Sequence, residues 1–260
     1  MPMDDAAIVR FRVATGDNYQ YLLTSGTECL IVDPFDPAAV LRECASRELS
    51  PAGILITHTH WDHTNGVAGI VREFDVPVYV HPRGASDVTG NICTVIDGDE
   101  IALGDERCRI HEAPGHHPAH IIATWSDVLV VGDVLFLAGC GNPNFGGNVD
   151  QLYETVVVRL AEFDAHWRLA WGHDYADKNL AFAQTIEPEN AAIAATIEMV
   201  RQCRAAGEDI PWRTLGEERE INPFLRCGEA TVIAAARAAG APASDPATVF
   251  RTLRGLRDHF

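Results

Sequence analysis

The sequence predicts a layered α/β protein with a helical C-terminal extension, and three observations carry that expectation. Short apolar runs alternate with segments of helical spacing up to about residue 81. A second strand-rich stretch follows from residue 94 to residue 131. From residue 176 onward the spacing is helical throughout, and no alternating strand pattern is found. Two β-rich stretches with helices outside them bury their apolar faces most simply as stacked layers. Residues 1–175 are therefore expected to form the body and residues 176–260 a helical domain.

Residues 7–13, 19–23 and 28–32 read as short strands, with Gly16-Asp17-Asn18 and Ser25-Gly26-Thr27 as the turns between them. A helix is expected over 36–49, where Val40, Leu41 and Cys44 share a face. A strand over 53–57, a helix from about 64 to 74 and a strand over 78–81 complete the first half. The stretch 94–112 is strand-rich. Strands over 121–125 and 128–131 follow, separated by Ser126-Asp127. An amphipathic helix is expected over 149–163 and a buried strand over 169–171. Helices over 176–186, 191–206, 230–239 and 246–257 are punctuated by Pro188, the turn at 207–211, Pro223 and Pro242.

Composition narrows the function classes. The 260 residues are 47% hydrophobic and 22% charged, ordinary for a soluble globular protein that buries a substantial core. No apolar run approaches the ~20 residues of a membrane span. The Met1-Pro2-Met3-Asp4-Asp5 start lacks the basic and apolar regions of a signal peptide, so a cytoplasmic protein is expected. The seven cysteines are scattered and never spaced as C-x-x-C, which fits neither a disulfide framework nor a thiolate zinc site. A net charge of -17 disfavours nucleic acid, whose phosphates need clustered Lys and Arg. Lys178 is the only lysine in the chain.

The densest chemistry lies in Thr57-His58-Thr59-His60-Trp61-Asp62-His63, directly after the apolar run Gly53–Ile56. In extended chain, residues two apart point the same way, so His58 and His60 can converge on one ion. Asp62 and His63 come where the chain turns into a helix and face elsewhere, so one strand end could feed two metals. Three further places supply candidates: Pro114-Gly115-His116-His117-Pro118-Ala119-His120, Gly132-Asp133 and Gly172-His173-Asp174-Tyr175. Three of the four places share a pattern, an apolar strand ending in a ligand-type residue. Neutral imidazoles bind borderline metals and a carboxylate can bridge two cations. Paired metals supply a hydrolytic nucleophile at neutral pH and stabilise an oxyanion.

These segments resemble the metallo-β-lactamase superfamily, and within it glyoxalase II, the hydroxyacylglutathione hydrolases. The resemblance extends to Gly132–Gly141, to Glu187-Pro188-Glu189-Asn190, to Glu217-Glu218 before Asn222–Arg226, and to Phe250–Arg254. It implies a four-layer αββα sandwich with a C-terminal helical, substrate-binding domain. It implies two divalent metal ions, zinc by preference, with iron or manganese accepted by the same ligands. One metal would be held by His58, His60 and His116 and the other by Asp62, His63 and His173, with Asp133 bridging. Asp62 and Asp133 are the catalytic candidates, and His120 matches a position behind the ligands. The reaction implied is hydrolysis of a small-molecule thioester, S-lactoylglutathione or a related 2-hydroxyacyl thiol, by a monomer or weak homo-oligomer.

The resemblance departs from the family after Gly139-Cys140-Gly141. There the family has a basic residue and then an aromatic, often Tyr. This chain has Asn142-Pro143-Asn144-Phe145, with Asn142 in the basic position and Phe145 without a hydroxyl. Asn142, Asn144 and Phe145 are the substrate-binding candidates of this loop. Tyr175 matches a substrate-contacting tyrosine, and Arg254 and Arg257 match basic positions near the end of the tail. Those arginines could meet a substrate anion or pair with nearby acids. His117 stands where the family has Thr, and Cys140 is expected to be packed rather than nucleophilic.

Three other readings use the same superfamily. A persulfide dioxygenase-like mononuclear iron enzyme would need only His58, His116 and Asp133, and the complete second set argues against it. A hydrolase of a non-glutathione thioester stays open because of Asn142. A flavodiiron-type reductase would have Glu where this chain has His60.

Overall fold

A computed structural model describes residues 7–13 and 17–260. The Met1–Asp5 start and Gly16 of the first expected turn lie outside the described residues. Strands β1 (Ile8–Arg12), β2 (Tyr19–Ser25), β3 (Glu28–Val32), β4 (Ser50–Leu55), β5 (Pro77–Val80) and β6 (Asn91–Thr94) form one sheet in sequence order. The first two pairings are antiparallel and the last three parallel. Strands β7 (Glu100–Leu103), β8 (Glu106–Glu112), β9 (Ile121–Trp125), β10 (Val128–Gly132) and β13 (Arg168–Trp171) form the second sheet, in the order β13-β10-β9-β8-β7. Its only parallel pair is β10 with β13. A small hairpin, β11 (Leu135–Phe136) with β12 (Gly139–Cys140), projects between them in sequence.

The period-two pattern of the strands explains the layering. Leu22, Cys29, Ile31, Ile54 and Ile56 point to one side, where they pack against Val40, Cys44, Val67 and Ile70 of the helices α1 (Pro37–Ser46) and α3 (Val67–Glu73). Their neighbours Tyr21, Leu23, Leu30, Val32 and Leu55 point to the other side, into a core shared with the second sheet. A strand buried on both faces must be apolar almost throughout, as β3 and β4 are. The second sheet shares its core with α4 (Val149–Tyr153) and with the tail helices α5 (Ala176–Ile186), α6 (Ala191–Ala206), α7 (Leu215–Ile221), α8 (Ala230–Ala238) and α9 (Pro246–Asp258). The result is the αββα order expected. One core runs from the second sheet into the tail, through Ile193, Val200, Phe224 and Val249.

Several expected elements are subdivided. The helix expected over 64–74 is two helices, α2 (Trp61–Thr64) and α3, because Gly66 is drawn onto Pro34, donating its N–H to the Pro34 carbonyl at 2.7 Å. The helix expected over 149–163 keeps its α form only to Tyr153, then widens to a π turn over Glu154–Arg159 and tightens to a 3₁₀ turn over Leu160–Glu162. The stretch expected to be strand-rich over 94–112 is broken by turns into β7 and β8. Helix α7 was not expected at all; its signature is the Thr214–Glu217 capping box, in which each side chain bonds the other residue's backbone N–H.

What positions the site is the set of parallel pairings. They align the carboxyl ends of β3, β4 and β5 on one sheet and of β10 and β13 on the other. Asp33, His58, Asp133 and His173 each come within three residues of such an end. Open α/β sheets present their ligand-binding residues at this edge. Tyr19 N–H to the Gly172 carbonyl (2.8 Å) ties the two sheets together there, and Gly172 N–H to the Gly132 carbonyl (2.9 Å) continues the β10–β13 pairing.

Candidate metal centre

Five imidazoles and two carboxylates converge at this edge. His58 Nε2 and His116 Nε2 each lie 3.0 Å from His60 Nδ1. On the other side His63 Nε2 lies 3.2 Å from His173 Nε2, and His173 Nε2 lies 3.2 Å from Asp62 Oδ2. Asp133 reaches both groups: its Oδ2 is 3.6 Å from His116 Nε2 and 3.4 Å from His173 Nε2, and its Oδ1 is 3.4 Å from His63 Nε2. The structure thus brings together all seven residues expected from the sequence. Grouped by proximity, His58-His60-His116, His58-His63-Asp133 and Asp62-His63-His173 could each hold an ion.

The outer nitrogens show why the inner ones converge. His58 Nδ1 bonds Thr57 Oγ1, His63 Nδ1 bonds Asp33 Oδ2, His116 Nδ1 bonds the Asn142 carbonyl, and His173 Nδ1 bonds Asp17 Oδ1. His60 is turned the other way, with Nε2 on the Phe145 carbonyl. A ring N–H held by an outer acceptor leaves the inner nitrogen with its lone pair facing the centre, the tautomer that a cation needs. Asp133 Oδ1 is buried and accepts no hydrogen bond. A buried carboxylate oxygen without a donor is costly unless a cation meets it. The donor set therefore fits two divalent ions. Gly172 makes the room, since a Cβ there would sit on the Asp133 carboxylate.

The two groups differ in charge. Burial holds His58 well below its ordinary pKa, with His63 adding to the effect, and burial lowers His116 to about 4. Both of these rings are neutral at pH 7. At Asp62 burial acts against ionisation, yet hydrogen bonding from His173 and the charge of His63 bring its carboxyl down to about 2. At Asp133 burial is likewise outweighed, and His173 and His63 hold the carboxyl well below its usual range. At His63 the burial penalty is overcome by Asp133 and Asp33, lifting the ring to about 10, and His173 is raised by Asp133 in the same way. Carboxylates draw positive charge to this second group, and a divalent ion would replace those protons.

Two supporting residues escape the sequence reading. Asp33 accepts from Thr57 N (2.7 Å), Thr57 Oγ1 (2.6 Å) and His63 Nδ1 (2.9 Å), so one buried carboxylate aligns both ligand groups. It does so from the left-handed region, at φ 47°, a conformation Asp tolerates better than most residues. Its signal is the same strand-end position as the ligands, after β3. Asp17 lies in a turn beside β2 and carries no such signal. His120 sits behind the ligands as expected: its ring stacks on His58 at 4.8 Å and its Nε2 accepts the Asp133 backbone N–H. His117 is half-buried, with its ring 5.0 Å from that of His60 and its Nδ1 on the Ala119 N–H.

A cavity of about 300 Å³ opens over these residues, walled by Trp61, Phe136, Asn142, Phe145 and Tyr175. Tyr175 stacks on His173 at 4.8 Å. Burial, offset in part by His173, raises its phenol to about 12, so it remains a donor at neutral pH. A second cavity of about 190 Å³ shares Phe136, Asn142 and Tyr175 with the first and continues to Lys178, Arg254 and Arg257. Here the substrate-binding candidates divide. Arg254 is spent on the fold, bonding Asp258 and the carbonyls of Cys140 and Gly141. Arg257 meets only the Asn179 amide oxygen. Asn144 lines neither cavity; its amide donates to Asp258. Cys140 is buried, its thiol raised to about 11 by that burial.

The hairpin between the two cavities is held from the tail. Glu218 accepts the Ala138 N–H, Asn179 donates to the Leu137 carbonyl, and Asn222 donates to the carbonyls of Phe136 and Gly139. With Arg254, four tail side chains clamp residues 136–141, which place Phe136 and Asn142 in the cavity walls.

Comparison with known proteins gives a consistent picture along the whole chain. Residues 14–173 match the metallo-beta-lactamase superfamily, and residues 174–260 match the hydroxyacylglutathione hydrolase C-terminus. A hydroxyacylglutathione hydrolase from Anaeromyxobacter dehalogenans is 41% identical over 244 residues, 93% of this chain and 95% of its own. Among solved structures, ETHE1 from Myxococcus xanthus aligns with a TM-score of 0.68 at 20% identity, covering 96% of this chain and 97% of its own. TTHA1623, solved in a di-iron-bound form, aligns at 0.62 and 23% identity over 84% of this chain and all of its own.

Proposed function

The chain belongs to the hydroxyacylglutathione hydrolase family of the metallo-beta-lactamase superfamily, and on that premise we propose that it hydrolyses S-lactoylglutathione or a related 2-hydroxyacyl thioester with two bound divalent metals. The observation that carries this reading is the five imidazoles, each with one ring nitrogen turned inward and the other fixed on an outer partner. His58, His60 and His116 would hold one ion, Asp62, His63 and His173 the other, and Asp133 would touch both. Zinc suits this donor set, and iron and manganese are accepted by the same ligands. When bound, such ions make water nucleophilic at neutral pH and take up charge on the thioester oxygen.

The chain's own residues do the rest. Asp62 stays ionised at neutral pH and lies in the cavity wall, so the carboxylate oxygen not taken up by an ion would accept a proton from the attacking water. The thioester C–S bond breaks, the carboxylic acid forms, and the departing sulfur leaves as thiolate to be protonated by solvent. Tyr175 donates a hydrogen bond from its phenol to the thiol half. Phe145 flanks the acyl half, Asn142 stands at the passage between the two cavities, and Arg257, with Arg254 behind it, marks where the thiol carrier extends. The tail from residue 176 thus acts as the substrate-binding part.

The test is metal-loaded protein assayed for thiol release from S-lactoylglutathione. Release at a kcat within the ordinary enzyme range, about 1–10³ s⁻¹, supports the assignment. Cleavage of another acyl thiol but not this one overturns the substrate and leaves the chemistry standing.

A further inference from the structure

The second cavity holds more positive charge than the fold consumes. Its one acid, Asp258, is already engaged by Arg254 and Asn144. Arg257 is half-buried and bonded only to the neutral Asn179. Lys178 projects from α5 into the same lining, is exposed, and has no ion-pair or hydrogen-bond partner among the described residues. It is also the only lysine in a chain of net charge -17. An ammonium left beside an uncompensated guanidinium, where carboxylates elsewhere abound, is a site waiting for an anion.

We propose that Lys178 is a specificity-determining residue that acts with Arg257 to seat a carboxylate of the thiol carrier, selecting thioesters whose thiol half is anionic. The inference rests on the thioester-hydrolase reading above. The geometry is suited to it. Phe136, Asn142 and Tyr175 wall both cavities, so a substrate whose scissile bond lies over the converging imidazoles extends its thiol half toward Lys178. Asn142, on the loop side of that passage, brings an amide and no charge. The cation is supplied instead from the helix side. Lys178 touches no reacting atom, so its effect belongs to binding: a compact charge on a flexible stem follows a carboxylate more readily than a fixed fork does.

The experiment compares lactoyl thioesters of glutathione and of glutathione diethyl ester, which differ only in whether the carboxylates are free. The wild type is expected to prefer the free acid in kcat/KM. Lys178→Met should cut that preference about tenfold, the loss of one charge-assisted contact, with the change in KM. Lys178→Arg should restore most of it, and added salt should erode the wild-type preference. A preference unchanged in Lys178→Met overturns the proposal while hydrolysis stands. If neither thioester is cleaved, the hydrolase reading falls, and calorimetric titration of free glutathione decides Lys178 separately. Binding weakened about tenfold in Lys178→Met then supports the anion site, and equal binding to both proteins overturns it.

Discussion

The converging imidazoles and the cationic cavity beside them share Phe136, Asn142 and Tyr175, yet they are built in opposite ways. The first is assembled at the ends of strands, from side chains whose second atoms are locked by Thr57, Asp33, Asp17 and backbone carbonyls. The second is assembled under helices from the tail, with two of its cations left without an acid. Rigidity in one and unspent charge in the other divide the labour. Chemistry needs groups held to fractions of an ångström, whereas recognition of a carboxylate tolerates a flexible arm. Substitutions in the first should therefore lower kcat, and substitutions in the second should raise KM.

The largest expected effect comes from Asp133, which faces both ligand groups. Asp133→Ala should reduce bound metal and lower kcat/KM by roughly 10³-fold or more, given the several kcal/mol that such ions supply; near-normal activity would break the comparison at its root. Asp33→Asn comes next. It removes the carboxylate that aligns Thr57 and His63, and a loss of about 10–100-fold in metal affinity or activity is expected, the usual range for partners behind the ligands. Metal titration against a chelator reads this directly. Arg257→Met should leave kcat within a few-fold and raise KM about tenfold. A fall in kcat with KM unchanged would place Arg257 with the chemistry instead.

The smallest effect on activity is expected at the clamp between the cavities, where the change is one of stability. Glu218 is fully buried, and that burial raises its carboxyl to about 7. A carboxyl raised on folding binds more protons in the folded state between its unfolded value of about 4.3 and about 7. Its contribution to stability is therefore present below that window and lost as pH rises through 7. Glu218→Gln should change stability little at pH 4 and add on the order of 2 kcal/mol at pH 8. Denaturant unfolding at the two pH values checks it, and an equal change at both would refute the cause given.

The same contrast decided what could be read from the sequence. The residues that converge were legible as candidates, most of them because an apolar run ending in His or Asp is a pattern that packing alone does not produce; His116, in the run between strands, does not carry it. His58, Asp133 and His173 carry it at the ends of β4, β10 and β13. Asp33 carries it too, but a lone Asp-Pro after a strand also reads as an ordinary turn. Lys178 was noted only as a compositional oddity, since an exposed lysine on a helix is ordinarily a solvated one, and its place in a cavity depends on how α5 packs against α9 and the hairpin. Asn144 shows the reverse error: its neighbourhood suggested substrate, and the fold uses its amide on Asp258. The widened turn over Glu154–Arg159 has no local sequence cause, and the break at Gly66 joins a turn signal, Asn65-Gly66, to the close approach of Pro34.

On the proposed reading two metal ions act together on a thioester. Elemental analysis of the purified protein, paired with thiol release from S-lactoylglutathione on the same sample, decides it. About two divalent metals per chain, with activity that disappears on chelation and returns on reloading, is the result expected of the two ligand groups. A single iron per chain, with oxygen consumed on glutathione persulfide and no thiol released from the thioester, would contradict it.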